Sequence, residues 1–344
     1  MKNVIITGVT GQDGSLMVDF LLKNTTYNIY GAVRRLSVSN HTNISHVTNE
    51  RFKLIDLDIT DPQSVEIAIE KYKPDYFVNF AANSFVGSSW QMPANHMHTN
   101  CLAVMYQLEA IRKFAPACRY YNAGSSEEFG DVLSVPQNET HPLRPRSPYG
   151  ASKAAARHIV KVWRESYNVF AVQGWLFNHE GVRRGKEFVT RKITTNVARL
   201  RKELRDGQKV TPLSLGNLSA KRDWSDAEDF VEGVWLMLNN STPKEYVLSS
   251  NETHTVREFV TLSFKAANIE GYWEGEAGSL EEKFIHLGTK QALVVVDPKF
   301  FRPAEVEILL GDSTFARRDL NWVPRTSFQQ LVTKMTESDL KNNP

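Results

Sequence analysis

The sequence is poor in cysteine, with only Cys101 and Cys118 among its 344 residues. Two cysteines cannot build the disulfide framework on which small secreted proteins depend, and they are typical of a reducing compartment. The chain starts with a strand-like apolar run, Val4-Ile5-Ile6, and not with the charged and apolar regions of a signal peptide. We therefore expect a cytoplasmic protein.

Long hydrophobic runs and an excess of one charge sign are lacking as well. No stretch of the sequence approaches the ~18 consecutive apolar residues that a membrane span needs. The 41 Lys and Arg residues are balanced by 39 Asp and Glu residues, so the formal net charge is only +2. General nucleic-acid binders usually carry a strong basic excess. The composition predicts neither a membrane nor a nucleic-acid partner, and we predict no metal site.

The apolar content of 41%, with 10% aromatic residues, is that of a well-packed globular protein. A single hydrophobic core stops growing at about 250–300 residues, so a chain of 344 residues is expected to form two lobes. We predict a dinucleotide-binding domain over residues 1–180 and a substrate-binding lobe over 181–344. Some strands and helices of the second part are expected to return to the first.

Strand-like runs alternate with helical patterns along the first half of the sequence. The predicted strands are residues 3–7, 28–33, 52–57, 75–80, 119–122 and 169–177, and the predicted helices are 62–72, 95–114 and a helix that starts near 148. In the second half the pattern predicts helices over 189–206, 225–238, 256–267 and from about 328, with strands at 213–215 and 246–248. Such alternation predicts an α/β fold, a doubly wound parallel Rossmann sheet followed by a smaller α/β lobe.

A glycine-rich turn follows the first predicted strand. It reads Gly8-Val9-Thr10-Gly11-Gln12-Asp13-Gly14 and leads into a helical pattern. Strand, glycine turn and helix are the context of a phosphate-binding loop, because the backbone can approach a pyrophosphate at the helix N-terminus. The second predicted strand ends at Arg34-Arg35, where an NAD enzyme is expected to carry an acid. Two arginines suit a 2′-phosphate, which favours NADP over NAD; the alternative is a solvated basic loop.

Tyr149 and Lys153 lie four residues apart at the start of a predicted helix, so they should share one face. A fixed positive charge favours the phenolate and lowers the tyrosine pKa from ~10, which suits a general base. Ser125 precedes the pair at a strand end and completes a Ser-Tyr-Lys set. Beside it, Glu127 adds a carboxylate that simple dehydrogenation does not need, whereas Glu128 is expected to be a solvated loop acid. The alternative for the pair is a surface Tyr and Lys on an amphipathic helix.

The run from Arg183 to Lys192 carries five basic residues in ten and follows the sixth predicted strand. Such runs are often solvated surface, but at a strand end this one suits an anionic substrate such as a nucleotide diphosphate.

Together these motifs resemble the extended short-chain dehydrogenases/reductases and, among them, the GDP-mannose 4,6-dehydratase family. The matching blocks cover most of the chain and are Gly11–Gly14, Asn178–Glu180, Arg183–Gly185, Phe188–Ile193, Leu215–Leu218, Arg222–Trp224 and Phe301–Val306. The blocks at 188–193 and 215–224 are specific within the superfamily.

The resemblance implies a lyase that forms GDP-4-keto-6-deoxymannose with no net use of NADP. Tyr149 would take the C4 hydroxyl proton, Glu127 would remove the C5 proton, and Lys153 would hold the nicotinamide ribose. Further cofactor contacts are implied for Asp58, Ile59, Ala81, Ala82, Ser84, His179 and Arg184. Substrate contacts are implied for Ser84, Asn178, Glu180, Lys192, Arg222, Arg302 and Glu305. The family also implies a homodimer or homotetramer.

The chain departs from the family pattern around its predicted catalytic residues. It has Ser125-Ser126-Glu127-Glu128-Phe129-Gly130 where Thr-Ser-Glu-Leu-Tyr-Gly is usual, and Asn95 where a tyrosine is usual. Three alternatives therefore stay open: a dehydratase for another nucleotide sugar such as a GDP-heptose, a related epimerase or reductase, and a catalytically silent NADP-binding sensor. Glu127 beside Ser125 favours dehydration over epimerisation, and retention of both Tyr149 and Lys153 argues against the sensor.

Overall fold

A computed structural model describes residues 1–300 and 308–342. The strands run over β1 Asn3–Thr7, β2 Asn28–Val33, β3 Phe52–Asp56, β4 Tyr76–Asn79, β5 Arg119–Ala123, β6 Ala171–Leu176, β7 Asn178–Glu180, β8 Leu213–Leu215, β9 Lys221–Arg222, β10 Trp224–Asp226, β11 Val247–Leu248, β12 His254–Thr255, β13 Gly271–Glu274, β14 Lys283–His286, β15 Ala292–Val296 and β16 Ile308–Leu309. The helices run over α1 Gln12–Asn24, α2 Pro62–Tyr72, α3 Pro93–Met97, α4 Ala103–Phe114, α5 Pro148–Tyr167, α6 Val189–Arg205, α7 Ala227–Asn239, α8 Val256–Ala266, α9 Thr314–Leu320 and α10 Phe328–Asn342.

Seven parallel strands form the central sheet, in the order β11-β6-β5-β4-β1-β2-β3. Successive residues of a strand point to opposite faces, and β1 shows this clearly. Val4 and Ile6 pack with α1 and α7 on one face, whereas Ile5 packs with α2, α4 and α5 on the other. Both faces are covered by helices, which explains the apolar strands and confirms the predicted doubly wound α/β fold.

The chain order at the central sheet reverses between β1 and β4, and the carboxyl ends of the strands there form an open edge. In this fold class ligands bind at such a switch point. Residues on neighbouring strands are in register at this edge, with Thr7 opposite Asn79, Asn79 opposite Asn122 and Asn122 opposite Gln173.

The elements after residue 180 divide between two regions. α7 packs against α1, and Val247–Leu248 pairs with β6 at the end of the central sheet. A second core lies around α6, α8, α10 and the sheet β13-β14-β15-β8, with Trp224 stacked on Phe328. The division of the chain at residue 180 itself stays a prediction.

The long helix predicted over residues 95–114 is interrupted. α3 and α4 are separated by a π-helical segment, His98–Leu102. The buried side chain of Asn100 donates to the Asn83 carbonyl and to the Ser152 hydroxyl, both at 3.1 Å. A widened turn of this kind often marks a functional site, and here it aims a polar side chain at the loop after β4.

No helix in residues 1–300 or 308–342 has the length and apolar character needed to cross a bilayer.

Candidate active site

A cleft of about 830 Å³ opens at the carboxyl ends of the central strands. The predicted cofactor residues that line it are Gly8, Thr10, Gly11, Gln12, Asp13, Gly14, Arg34, Arg35, Asp58, Ile59, Ala81, Ala82, Ser84 and Arg184. The structure therefore brings together residues that are spread over the first 184 positions of the chain. Asn95, which stands where the family has tyrosine, lines the same cleft.

The glycine turn forms a cradle at the N-terminus of α1. Gly8 has φ of +65°, and its carbonyl accepts a hydrogen bond of 2.9 Å from the Gly11 amide. A Cβ atom on Gly14 would overlap the Gly8 carbonyl, so the strand and the helix can approach only because that position is glycine. The free amides of a helix N-terminus attract anions. The cradle and the cleft beside it fit a dinucleotide.

Asp13 connects this loop to His179, which follows β6. The His179 Nε2 atom lies 3.0 Å from Asp13 Oδ2, and Nδ1 lies 2.7 Å from the Phe177 carbonyl oxygen. Both ring nitrogens face acceptors, which favours the doubly protonated imidazolium. Burial opposes charge on both groups, but their mutual attraction raises the pKa of His179 and lowers the pKa of Asp13 to about 2. His179 thus reaches the cleft through Asp13.

Tyr149 and Lys153 lie on one face of α5, as predicted, and both are nearly completely buried. The helix begins there because Pro148 occupies its first turn and the Ser147 hydroxyl accepts from the Gly150 amide at 3.0 Å. The Lys153 Nζ atom donates to the Ala123 carbonyl at 2.8 Å and lies 5.9 Å from the centre of the Tyr149 ring. The two side chains are neighbours, but both stand outside the lining of the cleft.

The predicted lowering of the tyrosine pKa is wrong for this structure. Burial raises the pKa of Tyr149 to about 12, because a phenolate loses its hydration inside the protein. Burial likewise lowers the pKa of Lys153 to about 8, against the opposing charges of Glu128 and Asp13. Burial is the largest effect on the phenol, and the spacing of Tyr149 and Lys153 in the sequence does not indicate how deeply they are buried.

Ser125 and Glu127 lie on the short turn after β5, next to Tyr149. A hydrogen bond with the Ser125 side chain lowers the pKa of Tyr149, whereas the nearby charge of Glu127 raises it; both effects are smaller than that of burial. The Ser125 hydroxyl also accepts from the Glu127 amide at 3.2 Å. The turn thus holds a hydroxyl and a half-buried carboxylate beside the phenol.

Glu128 is not the solvated loop acid that the sequence predicted, because its side chain is fully buried. It forms an ion pair with Arg157, with 2.5 Å between Glu128 Oε2 and Arg157 Nε. Neither Arg157 nor Gln173, which also contacts this carboxylate, was identified from the sequence. The partners lie 29 and 45 residues away, and a local pattern carries no signal of such pairing.

A row of buried amide side chains crosses the sheet below the site and was also missed. Asn79 accepts from Thr7 at 2.5 Å and donates to Asn122 at 2.7 Å, and Asn122 donates to Gln173 at 2.6 Å. The available signal was a polar residue near the end of each apolar strand. Four such residues in register form a continuous hydrogen-bonded row, which fixes the strand ends relative to one another.

The predicted substrate residues lie in several places. Lys192 Nζ donates to the Ser214 carbonyl at 2.7 Å, and Arg222 donates to the Lys221 carbonyl at 2.8 Å. Asn178 pairs with Trp224 in the β7–β10 ladder. Two further predicted positions, Arg302 and Glu305, lie outside the described residues.

Glu180 is buried and engaged inside the protein. Its carboxylate accepts from the Thr190 hydroxyl at 2.5 Å and lies 3.1 Å from Arg184 Nε. The guanidinium of Arg184 stacks 3.6 Å from the centre of the Phe188 ring, so Glu180 supports a residue of the cleft. Direct contact of Glu180 with substrate stays a prediction.

Among the described residues, no group of three or more His, Cys, Asp or Glu side chains is arranged to hold a metal ion.

Solved structures with this fold include nucleotide-sugar enzymes. A dTDP-glucose 4,6-dehydratase from Bacillus anthracis in complex with NAD is similar with a TM-score of 0.79 and 20% identity, covering 99% of this chain and 97% of that chain. The RMD protein of Pseudomonas aeruginosa complexed with NADPH has a TM-score of 0.77 and 19% identity, covering 99% of this chain and 100% of that chain. At these identities the likeness shows the fold.

Sequence comparison is more specific. The family profile described as GDP-mannose 4,6 dehydratase matches residues 5–335. A GDP-mannose 4,6 dehydratase of Drosophila melanogaster is 41% identical, over 99% of this chain and 86% of the relative. One of Homo sapiens with the same name is 41% identical, over 100% of this chain and 94% of the relative. The chain belongs to the GDP-mannose 4,6-dehydratase family.

Proposed function

We propose that the protein converts GDP-mannose to GDP-4-keto-6-deoxymannose, using NADP as a cofactor that is restored in each turnover. The observation that carries the proposal is the grouping of three side chains at one strand end. Ser125 and Glu127 are both close enough to Tyr149 to act on the pKa of its phenol, Ser125 by lowering it and Glu127 by raising it. Oxidation at C4 needs Tyr149 and Ser125, and elimination of water needs Glu127.

The chain's own residues divide the proton transfers. Tyr149 accepts the proton of the C4 hydroxyl only as a phenolate, which its pKa of about 12 opposes; the positive charges of Lys153 beside it and of a bound NADP⁺ would favour that form. Ser125 holds the C4 hydroxyl and stabilises negative charge on the phenol. A bound dinucleotide, held by the glycine turn with Arg34 and Arg35, would supply the hydride chemistry between C4 and C6. The 4-ketone acidifies the C5 hydrogen, which Glu127 removes as a proton and delivers to the departing C6 hydroxyl. Glu127 serves as base and then as acid. Hydride addition at C6 leaves C5 in need of a proton, and the proton that Tyr149 took from the C4 hydroxyl supplies it, so atoms and charge balance over the turnover.

NADP is favoured over NAD by Arg34 and Arg35. Both line the cleft after β2, and both are exposed, so their guanidinium groups are accessible to a phosphate. The related solved structures hold NAD in one case and NADPH in another, which supports a nicotinamide dinucleotide in general. A bidentate pairing of arginine with the 2′-phosphate supplies the finer preference.

The guanosine diphosphate part of the substrate is assigned to the second lobe, with contacts from Lys192, Arg222, Arg302 and Glu305, and Asn178 is proposed as a further substrate contact. We also propose a cytoplasmic homodimer or homotetramer. Both cysteines are buried and free, which suits a reducing compartment. Light scattering coupled to size exclusion gives the number of subunits directly.

Turnover of a panel of nucleotide sugars tests the function. The purified protein is incubated with NADP⁺ and one nucleotide sugar per reaction. The sugars are GDP-mannose, a GDP-heptose, UDP-glucose and dTDP-glucose. We expect loss of one water from GDP-mannose, seen by mass spectrometry, with no accumulation of NADPH. Faster turnover of another sugar would reassign the substrate, and inversion at C4 without loss of water would indicate an epimerase.

A further inference from the structure

The buried ion pair of Glu128 and Arg157 is bound on all sides to elements that carry the proposed catalytic residues. Glu128 has an exposed fraction of 0% and Arg157 of 4%. One carboxylate oxygen pairs with Arg157 Nε at 2.5 Å. The other accepts from the Ser125 backbone amide at 2.8 Å and from Gln173 Nε2 at 3.1 Å. The carboxylate is therefore saturated by internal partners and shielded from any substrate.

Two of the partners lead to members of the Ser-Tyr-Lys set, namely Ser125 and Lys153. Ser125 is the cap of the turn Ser126–Glu128, and the Glu128 side chain closes its capping box. Gln173 Nε2 donates a second hydrogen bond, of 3.0 Å, to the Lys153 carbonyl. The pair thus ties the turn that holds Ser125 to the helix that holds Lys153.

Arg157 fixes the other side of this junction. It lies one helical turn after Lys153 on α5 and donates to the Gln173 carbonyl at 2.6 Å. Its guanidinium carbon lies 3.4 Å from the centre of the Trp175 ring. Helix α5 is thereby held to β6 at a defined height, which sets the level of Tyr149 and Lys153 above the sheet.

The packing directly above the pair leaves no room for adjustment. A Cβ atom on Gly124 would overlap the Gly174 carbonyl and would approach Glu128 Oε1 to 2.8 Å. Glycine at this position lets the chain pass over the ion pair into Ser125. The backbone of the catalytic turn rests on Glu128 and Arg157.

We propose that Glu128 and Arg157 are positioning residues that set the distance between the Ser125 hydroxyl and the Tyr149 phenol. This inference rests on the proposed function, because it assigns Ser125 and Tyr149 to the reaction. Neither residue touches substrate; both act through the Ser125 amide and the Lys153 carbonyl. A buried pair that fixes one geometry is a known use of such groups.

The variant Glu128→Gln tests the proposal. Glutamine keeps the size of the side chain. It replaces one of the two accepting oxygens by an NH₂ group, which then faces a hydrogen-bond donor of the protein. Displacement of a reacting group by a fraction of an ångström costs about ten- to a hundredfold in rate. We expect kcat to fall by that factor, while the KM for the nucleotide sugar and the Kd for NADPH stay within about twofold.

Asp339→Asn serves as the matched control. Asp339 is a buried acid that pairs with Arg191 at 2.6 Å in the second lobe. Both variants should lower the melting temperature, and only Glu128→Gln should lower kcat. An equal loss of kcat in both, or an unchanged kcat in Glu128→Gln, would show that the pair serves stability alone.

The double variant Glu128→Leu/Arg157→Met guards against misfolding of the single variant. Removing both charges leaves neither residue as an unpaired buried charge, and Glu245, which also pairs with Arg157, keeps its ion pair with Arg164 at 3.3 Å. The double variant should fold but melt below the wild type, because the Ser125 amide has lost its acceptor, and for the same reason it should still lose kcat. Wild-type kcat in the folded double variant, or failure of both variants to fold, would overturn the proposal.

The same experiments distinguish a wrong substrate assignment from a wrong positioning role. All rates are measured on the nucleotide sugar that the wild-type protein turns over fastest. If that sugar is not GDP-mannose, the substrate assignment falls while the comparison of variants still decides the positioning role.

Discussion

Glu127 and Tyr149 divide the proposed reaction between two side chains. Glu127→Gln keeps the size of the residue but cannot accept the C5 proton. Positioned proton transfer contributes about 10²–10⁴-fold, so dehydration should fall by that factor while oxidation at C4 survives. The measurement is the appearance of reduced cofactor at 340 nm, roughly one equivalent per site if its release is slow. Tyr149→Phe is the comparison, because it should abolish both steps; wild-type turnover of Glu127→Gln would remove Glu127 from the mechanism.

Lys153 should make cofactor affinity depend on pH. Burial lowers the pKa of its ammonium to about 8, so the side chain is charged below that pH and neutral above it. An anionic dinucleotide favours the charged form, and its affinity should fall as pH rises through about 8. Linkage to one proton limits the fall to about tenfold per pH unit. Titration with NADPH between about pH 7 and 9.5, followed by fluorescence, measures the effect. An equal slope in Lys153→Met would assign it to another group.

Arg34 and Arg35 should decide between the two dinucleotides. Each charge-assisted contact with the 2′-phosphate is worth about 1.5–3 kcal/mol, or about ten- to a hundredfold in affinity. Replacing either arginine by alanine should raise the Kd for NADPH by that factor and leave the Kd for NADH unchanged. Arg201→Ala, at an exposed arginine of α6, is the control. Equal losses for both dinucleotides would contradict the assignment.

At the scale of elements, Asp223 joins three segments of the second lobe. Between β9 and β10, its carboxylate accepts from the Ser250 amide at 2.8 Å, the Ser250 hydroxyl at 2.6 Å and the Gly311 amide at 3.3 Å. Asp223→Ala leaves these buried donors unsatisfied, and we expect a loss of about 1–3 kcal/mol in the free energy of unfolding, measured in urea. Glu252→Ala, which removes an exposed carboxylate, should cost almost nothing.

The elements that could be predicted are those whose bounds are encoded locally. Helix α2 begins and ends where predicted, because Asp61 caps it and Pro62 fits its first turn. The π-helical segment could not be predicted, since it depends on contacts of Asn100 with residues 17 and 52 positions away. Glu128 was wrongly predicted to be solvated for the same reason, because its partners Arg157 and Gln173 are distant in the sequence. The glycine turn and the Tyr-Lys pair were predictable because short spacings define them, whereas the pKa values depend on burial in the folded chain.

At the scale of the whole molecule, the two lobes are expected to share the substrate. Lys192 lies on α6, in the second lobe and away from the central sheet. Its Nζ atom is 3.5 Å from the centre of the Phe300 ring. A remote anchor binds ground and transition states alike, so Lys192→Met should raise KM much more than it lowers kcat. Lys202→Met, an exposed residue of the same helix, should change neither constant. A loss confined to kcat would place Lys192 in the chemistry.

The pairing of Val247–Leu248 with β6 has a consequence for synthesis of the protein on the ribosome. When β6 emerges, the strand that covers its outer edge is still 71 residues from the end of β6, as the bounds Ala171–Leu176 and Val247–Leu248 show. Translation proceeds at about 5–20 residues per second, so this edge stays open for several seconds or longer. An unpaired strand edge that is buried in the finished fold invites association with other chains. The nascent protein should therefore depend on chaperones most during this interval, and slower codons between β6 and β11 should reduce its soluble yield.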